Sequence, residues 1–254
     1  VQLSEHHPIR KLRTHVPNMI TVGAILAGYL SILVAFHGDF LASALLILVA
    51  CLLDMLDGRI ARAMKITSEF GIEFDSLADM VNFGLAPSLL FYQMYFREWG
   101  LPGMILSFLP VCCAGIRLAR FNCAADPDIP TTYYVGLPTT VAAAVMAGFI
   151  LFITNLPTAN YAPQAAVGLT VFVALLMVSN IQYEKSNILS PRYIRKTGRI
   201  ITGGLILLSL VVFPQTAFFA WGLSYILYGV VRSAVFTIRY GRDDSAEKET
   251  ADLL

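Results

Sequence analysis

The sequence predicts an all-α fold, a polytopic membrane helical bundle of about eight transmembrane helices, and three observations carry that expectation. The first is composition: of 254 residues, 57% are hydrophobic and 14% charged, against about 25% charged in soluble domains. With a mean hydropathy of +0.67, the chain has too little polar surface to cover a globule in water. The second is that the apolar residues come in runs of about 20, long enough to cross a ~30 Å hydrocarbon core. The third is the segregation of positive charge. With the N-terminus inside, 17 of the 18 Lys and Arg residues fall on the cytoplasmic side and only Arg97 outside, as the positive-inside rule requires. A miscounted span would invert every later loop, so the charge pattern tests the count.

The runs are read at 17–37, 39–62, 71–96, 101–121, 136–154, 163–180, 198–212 and 216–238. The first follows Arg10, Lys11 and Arg13; it is too long for a signal-peptide core and lacks a small-residue cleavage site, so it reads as a retained span. The second ends at Arg59, Arg62 and Lys65, and the fourth at Arg117 and Arg120. The next loop, NCAADPDIPTTYYV at 122–135, is polar and cytoplasmic, where a water-soluble substrate arrives. The shorter seventh run and the eighth bring both termini to the cytoplasm, the expected membrane being the cell inner membrane. Residues 1–240 read as one integral membrane domain, and 241–254, charged and without an apolar face, as a disordered cytoplasmic tail. The net charge of +1 gives no nucleic-acid footprint, while the cytoplasmic basic belt suits anionic membrane lipids. Cys51, Cys112, Cys113 and Cys123 have no metal-ligand spacing and read as apolar filling.

Four aspartates interrupt these helices: Asp54 and Asp57 near the end of the second run, Asp75 and Asp79 near the start of the third. An ionised carboxylate at the centre of a membrane helix costs at least ~2.5 kcal/mol, so each needs a compensating partner. Spacings of three and four put each pair on one helix face. With the hairpin centred on Thr67, a rise of 1.5 Å per residue places Asp57 and Asp75 ~15 and ~12 Å from the tip, and Asp54 and Asp79 ~20 and ~18 Å. All four therefore meet at matching depth. A cluster of hard oxygen ligands without Cys or His suits Mg²⁺ or Mn²⁺, and four carboxylates suffice for two such ions. Gly58, Ala61 and Gly71 clear space beside the acids, and Arg62 and Lys65 stand at the same mouth, a set suited to a diphosphate with bound metal.

Asp54 to Asp79 spells D-x-x-D-G-x-x-A-R, eight residues, then G-x-x-x-D-x-x-x-D. This resembles the signature of the CDP-alcohol phosphotransferases. The resemblance implies that family's helical membrane fold and a homodimer. It implies aspartates that bind two divalent metals holding a CDP diphosphate, and a last aspartate, Asp79, as the base activating an acceptor alcohol. FDSLADMVNFGLAPS at 74–88, RLARFN at 117–122, GLP at 136–138 and PNMIT at 17–21 are similar to the membrane-embedded phosphatidylserine synthases. The segment NIQYEKSN departs from that pattern in being less basic.

The resemblance implies transfer of the phosphatidyl group of CDP-diacylglycerol to the hydroxyl of L-serine, releasing CMP. It implies CDP-diacylglycerol contacts at Asn18, Thr21, Asp57, Gly58, Ala61, Arg62, Lys65 and Gly71. Asn82, three residues past Asp79, is expected on the same face one turn deeper, to orient serine; Arg117 and Arg120 are expected to grip its carboxylate. The alternatives are a family member using glycerol phosphate or inositol phosphate, and, in another class, an ion-coupled transporter with carboxylates near the midplane. The topology has a direct test: a cysteine placed at position 38 should be labelled only from outside the cell, and one at position 128 only from inside.

Overall fold

The computed structural model describes residues 8–64, 69–124, 133–154, 161–184 and 214–251. Helix α1 (Pro8–Phe36) turns through Gly38, at φ 87°, into α2 (Phe40–Met64). Asp39 caps α2, its Oδ1 accepting the Ala42 N–H at 3.0 Å. Fully buried alanines (Ala24, Ala35, Ala44, Ala50) line these helices, and the Ser31 and Ser43 hydroxyls meet at 2.9 Å inside the pair. Small side chains and an internal hydroxyl pair are the means by which helices hold together where water supplies no drive.

The third expected span is a single helical column of changing pitch. It runs through α3 (Glu69–Asp79), a π segment π1 (Met80–Leu85), α4 (Ala86–Phe91) and a second π segment π2 (Tyr92–Phe96). The junction residues Asp79, Leu85 and Phe91 all keep right-handed helical backbone. The column stops at Gly100, whose φ of 59° a side chain would oppose. Helix α5 (Leu101–Ala124) follows, with Pro110 inside it.

Helix α6 (Thr139–Ile153) is the centre of the bundle, with Ala142, Ala143, Val145, Met146, Ala147, Ile150 and Leu151 all essentially inaccessible. A helix apolar on every side can be covered by protein or by lipid, and here protein covers most of it. It packs on α2 and on α8 (Pro214–Ala251), and Gly148 and Gly222 mark where α6 and α8 approach: a Cβ on Gly148 would press on the Phe218–Phe219 backbone, and one on Gly222 on Val145. Helix α7 (Ala162–Val178) lies beside α5. Large apolar side chains such as Val22, Leu26, Leu45, Val49, Ile105, Phe108, Val231 and Val235 are exposed along α1, α2, α5 and α8, the surface a lipid solvent covers.

Among the described residues, four helices are long and apolar enough to cross a membrane: Pro17–Phe36, Phe40–Ala61, Leu101–Cys123 and Thr216–Val235. Thr139–Ile153 and Ala162–Val178 are shorter apolar helices. The expected run 198–212 lies outside the described residues. The body is helical, but β1 (Tyr133–Val135) and β2 (Gln182–Glu184) form an antiparallel ribbon, Tyr134 opposite Tyr183. Both stretches lie between apolar helices, where the backbone must find partners other than a helix's own. Helix α8 continues to Ala251, through a run of Ala, Glu and Lys with good helix propensity.

Tyr183 anchors the ribbon. Its ring is 1% exposed, stacks on Tyr225 at 5.8 Å, and occupies the space a side chain on Gly229 would take. Burial, with Tyr225 alongside, pushes its phenol up to about 12, so it remains neutral. The ribbon leads into a tight corner at Gly136–Leu137–Pro138. Gly136 has φ 78°, and a Cβ there would collide with the Met177 carbonyl. The Gly136 N–H bonds the Ile181 carbonyl at 2.9 Å and the Leu137 N–H bonds that of Leu176 at 3.0 Å. Gly136→Ala combines a left-handed backbone with that collision and should cost at least ~1–3 kcal/mol, read as a lower thermal midpoint in detergent.

Candidate active site

The acids meet as the helical spacing requires. One carboxylate oxygen from each of Asp54, Asp57 and Asp75 lies within 4.8 Å of the others. Asp57 is 4% exposed, and Asp54 and Asp75 are half-buried. Asp79, one turn along from Asp75, stands outside this trio with its carboxyl beside that of Asp54. Two carboxyl groups so close need a proton or a cation between them. The Oδ1 of Asp79 is sealed from solvent and bonds none of the described residues. Oxygen ligands from two helices, converging in a shielded space, fit a hard divalent ion such as Mg²⁺ or Mn²⁺.

Helix α1 supports the trio. Thr21, 5% exposed, lies with its hydroxyl 2.7 Å from Asp57 Oδ2 and 3.1 Å from the Pro17 carbonyl. It fixes one Asp57 oxygen, the task of an outer partner to a ligating carboxylate. Of the other expected nucleotide-side residues, Asn18 on α1, Gly58 and Ala61 on α2, and Gly71 on α3 are half-buried. Arg62 lies on α2; Lys65 lies outside the described residues.

The two arginines of α5 occupy different settings. Arg117 is 8% exposed and close enough to Asp79 to interact with its charge. Its Nη1 donates to Thr139 Oγ1 at 3.1 Å. Arg120 is exposed, and its Nη1 donates at 2.8 Å to the carbonyl of Val178, the last residue of α7. A cation there meets the negative end of the helix. Asn122, two residues on, has its Nδ2 donating to Ser76 Oγ at 3.1 Å, so α5 is tied to α3 beside the acids.

Asn82 is where helix pitch changes the expectation. The π turn begins at Met80, between Asp79 and Asn82. Asn82 is 1% exposed and packs against α1 at Gly28, where a Cβ would collide with its amide oxygen. Neither its Oδ1 nor its Nδ2 bonds any of the described residues. Sequence reasoning passed over Thr139 and Gly28; a hydroxyl opening the otherwise apolar α6, straight after the GLP corner, was the available signal for the first.

Residues 14–179 match the sequence profile of CDP-alcohol phosphatidyltransferases. The chain belongs to that family. The matched stretch contains all four aspartates, Thr21, Asn82, Arg117 and Thr139. Among similar proteins, a CDP-diacylglycerol–serine O-phosphatidyltransferase of Helicobacter pylori strain J99 is 37% identical over 218 residues, covering 85% of this chain and 90% of its own. One of that name from Methanocaldococcus jannaschii is 31% identical over 224 residues, 88% of this chain and 96% of its own. An archaetidylserine synthase of Methanothermobacter thermautotrophicus is 33% identical over 172 residues, 67% of this chain and 70% of its own.

The Thr21–Asp57 contact has a measurable consequence. Thr21→Val keeps the shape and removes the hydroxyl, and should weaken Mn²⁺ binding by about 10–100-fold; Asp57→Asn should weaken it further. Calorimetric titration of Mn²⁺ into the purified protein checks both.

Proposed function

We propose that this member of the family is a CDP-diacylglycerol–serine O-phosphatidyltransferase, an enzyme that moves the phosphatidyl group of CDP-diacylglycerol to the hydroxyl of L-serine and releases CMP. The observation carrying this reading is the convergence of four carboxylates and a buried arginine within the family-matched helices. Serine is what the names of the similar proteins share, across two kinds of lipid.

In this reading Asp54, Asp57, Asp75 and Asp79 hold two divalent ions, Mg²⁺ or Mn²⁺. When bound, these would neutralise the diphosphate and stabilise CMP as a leaving group. Asn18, Thr21, Asp57, Gly58, Ala61, Arg62, Lys65 and Gly71 line the CDP-diacylglycerol side. Small residues there leave room for the nucleotide, and the two cations meet its charge. Arg117 takes the serine carboxylate, Arg120 guides it from the outer edge, and Asn82 receives the acceptor's polar end. Asp79 accepts the hydroxyl proton as the oxygen bonds phosphorus and the bond to the CMP oxygen breaks. A buried arginine close to this base supports such a division of labour: the acceptor's anionic end is neutralised while its hydroxyl faces a carboxylate. The working unit is a homodimer in the cell inner membrane, with the catalytic domain over 1–240 and the site and both termini facing the cytoplasm.

The deciding assay measures CMP release from CDP-diacylglycerol by the purified protein. Release should require serine, stop on chelation of divalent ions, and return with Mg²⁺ or Mn²⁺. Glycerol phosphate or inositol phosphate replacing serine at equal efficiency would overturn the acceptor. Asp79→Asn should lose at least about 100-fold in turnover while still binding CDP-diacylglycerol; wild-type turnover would remove Asp79 from the role of base.

A further inference from the structure

Helix α3 carries two of the four acids and has little to fix its rotation. It is 11 residues long, Glu69–Asp79, and runs directly into the π segment at Met80, where its regular phase ends. It packs on α1, while its Phe70, Ile72 and Leu77 side chains are exposed among the described residues. Toward α2 it brings Asp75 and Asp79 beside Asp54 and Asp57, and like charges at this range push the two helices apart. A hydrogen bond to α5 holds α3 against that push. The Asn122 Nδ2 donates to Ser76 Oγ at 3.1 Å, and the same Oγ lies 3.1 Å from the Ile72 carbonyl and 3.3 Å from Asn122 Oδ1. A hydroxyl has one proton and two acceptor sites, so Ser76 gives its proton to Ile72 and takes one from Asn122 without conflict. Asn122 stands in the last turn of α5, two residues past Arg120, whose bond to the Val178 carbonyl anchors that turn to α7.

We propose that Asn122 is a positioning residue for the metal ligands of α3: its side-chain amide, through Ser76, sets the rotation of α3 so that Asp75 and Asp79 are held toward Asp54 and Asp57 ahead of a divalent ion. This deepens the metal part of the reading above and rests on it. Ser76 follows Asp75 directly and precedes Asp79 by three residues, which places it about 100° around the helix from the first and about 60° from the second. Loss of a contact at that point frees both acids to turn together. Asn122 acts through Ser76 and not on the ion itself. Its effect is to reduce the reordering that the ligands would otherwise undergo on binding.

The test is calorimetric titration of Mn²⁺ into the purified protein, with thermal midpoints in detergent measured alongside. Wild type is compared with Ser76→Ala, Ser76→Thr, Asn122→Leu and the variant combining Ser76→Ala with Asn122→Leu. Ser76→Ala and Asn122→Leu should each weaken Mn²⁺ binding by about three- to tenfold, the equivalent of one hydrogen bond between membrane helices. The combined variant should match the single ones within about twofold, because both changes remove the same contact. Ser76→Thr keeps the hydroxyl and should bind as wild type does. In CMP release the two weakened variants should need more Mn²⁺ for half-maximal rate, with the kcat and the serine KM at saturating Mn²⁺ within about twofold of wild type.

Unchanged Mn²⁺ affinity in Ser76→Ala and Asn122→Leu would overturn the proposal whatever their thermal midpoints, since a merely structural tie would lower the midpoint and leave the affinity alone. Fully additive weakening in the combined variant would overturn it too, as would a serine KM raised at saturating Mn²⁺, which would put Asn122 on the acceptor instead. If Asn122→Leu does not elute as a single folded species, Asn122→Ala takes its place with the same expectations. Failure of the metal reading looks different: wild type itself would take up no Mn²⁺ and keep its activity on chelation, and this proposal would fall with it. A different acceptor alcohol would leave the Mn²⁺ titrations as they are.

Discussion

Everything in this molecule answers to four carboxylates placed in helices that otherwise belong in hydrocarbon. Each costs at least ~2.5 kcal/mol near the middle of a bilayer, and the surroundings are arranged to offset that cost. Asp57 takes a hydroxyl from Thr21 on α1, and Arg117 approaches Asp79 from α5. Three of the acids bring one oxygen each within 4.8 Å of the others, a donor set of the kind a divalent cation takes. Residues of α1, α2, α3 and α5 thus meet at the acids.

A second tie, at the end of α7, holds the opposing wall. The last carbonyls of a helix have no partners within it, and here other elements supply them: the Leu137 N–H takes that of Leu176, Ser179 those of Leu175 and Leu176, and Arg120 that of Val178. One helix end therefore fixes both the GLP corner and the outer arginine of α5. Arg120 and Arg117, three residues apart, divide the work: the first braces the wall and the second faces the acids.

The acid cluster was legible in the sequence because spacings of three and four on two adjoining helices fix both face and depth without knowledge of the rest of the fold. The spans on α1, α2 and α5 were legible for a similar reason, hydropathy being a local property. The setting of Asn82 was harder to read because the i, i+3 rule presumes a uniform α-helix, and nothing in MVNFGL announces a wider turn. The ribbon went unread because three-residue strands depend on pairing across some fifty positions, which no local pattern records. Thr139 was missed because its role is a contact between α5 and α6; a threonine opening an apolar helix carries no sign of its partner.

The two π segments have a consequence for how this column can vary. Each wide turn accommodates about one residue more than an α-helix would, and one residue corresponds to roughly 100° of rotation. Above Asp79 the column is therefore turned independently of the part that carries the acids, as a shaft is by a coupling. The upper half, from Ser88 through Phe91 to Phe96, can present its buried face to α6 while the lower half keeps Asp75 and Asp79 aimed at α2. Core packing and metal-type chemistry then occupy one continuous helix without sharing a phase, and a change in one need not rotate the other.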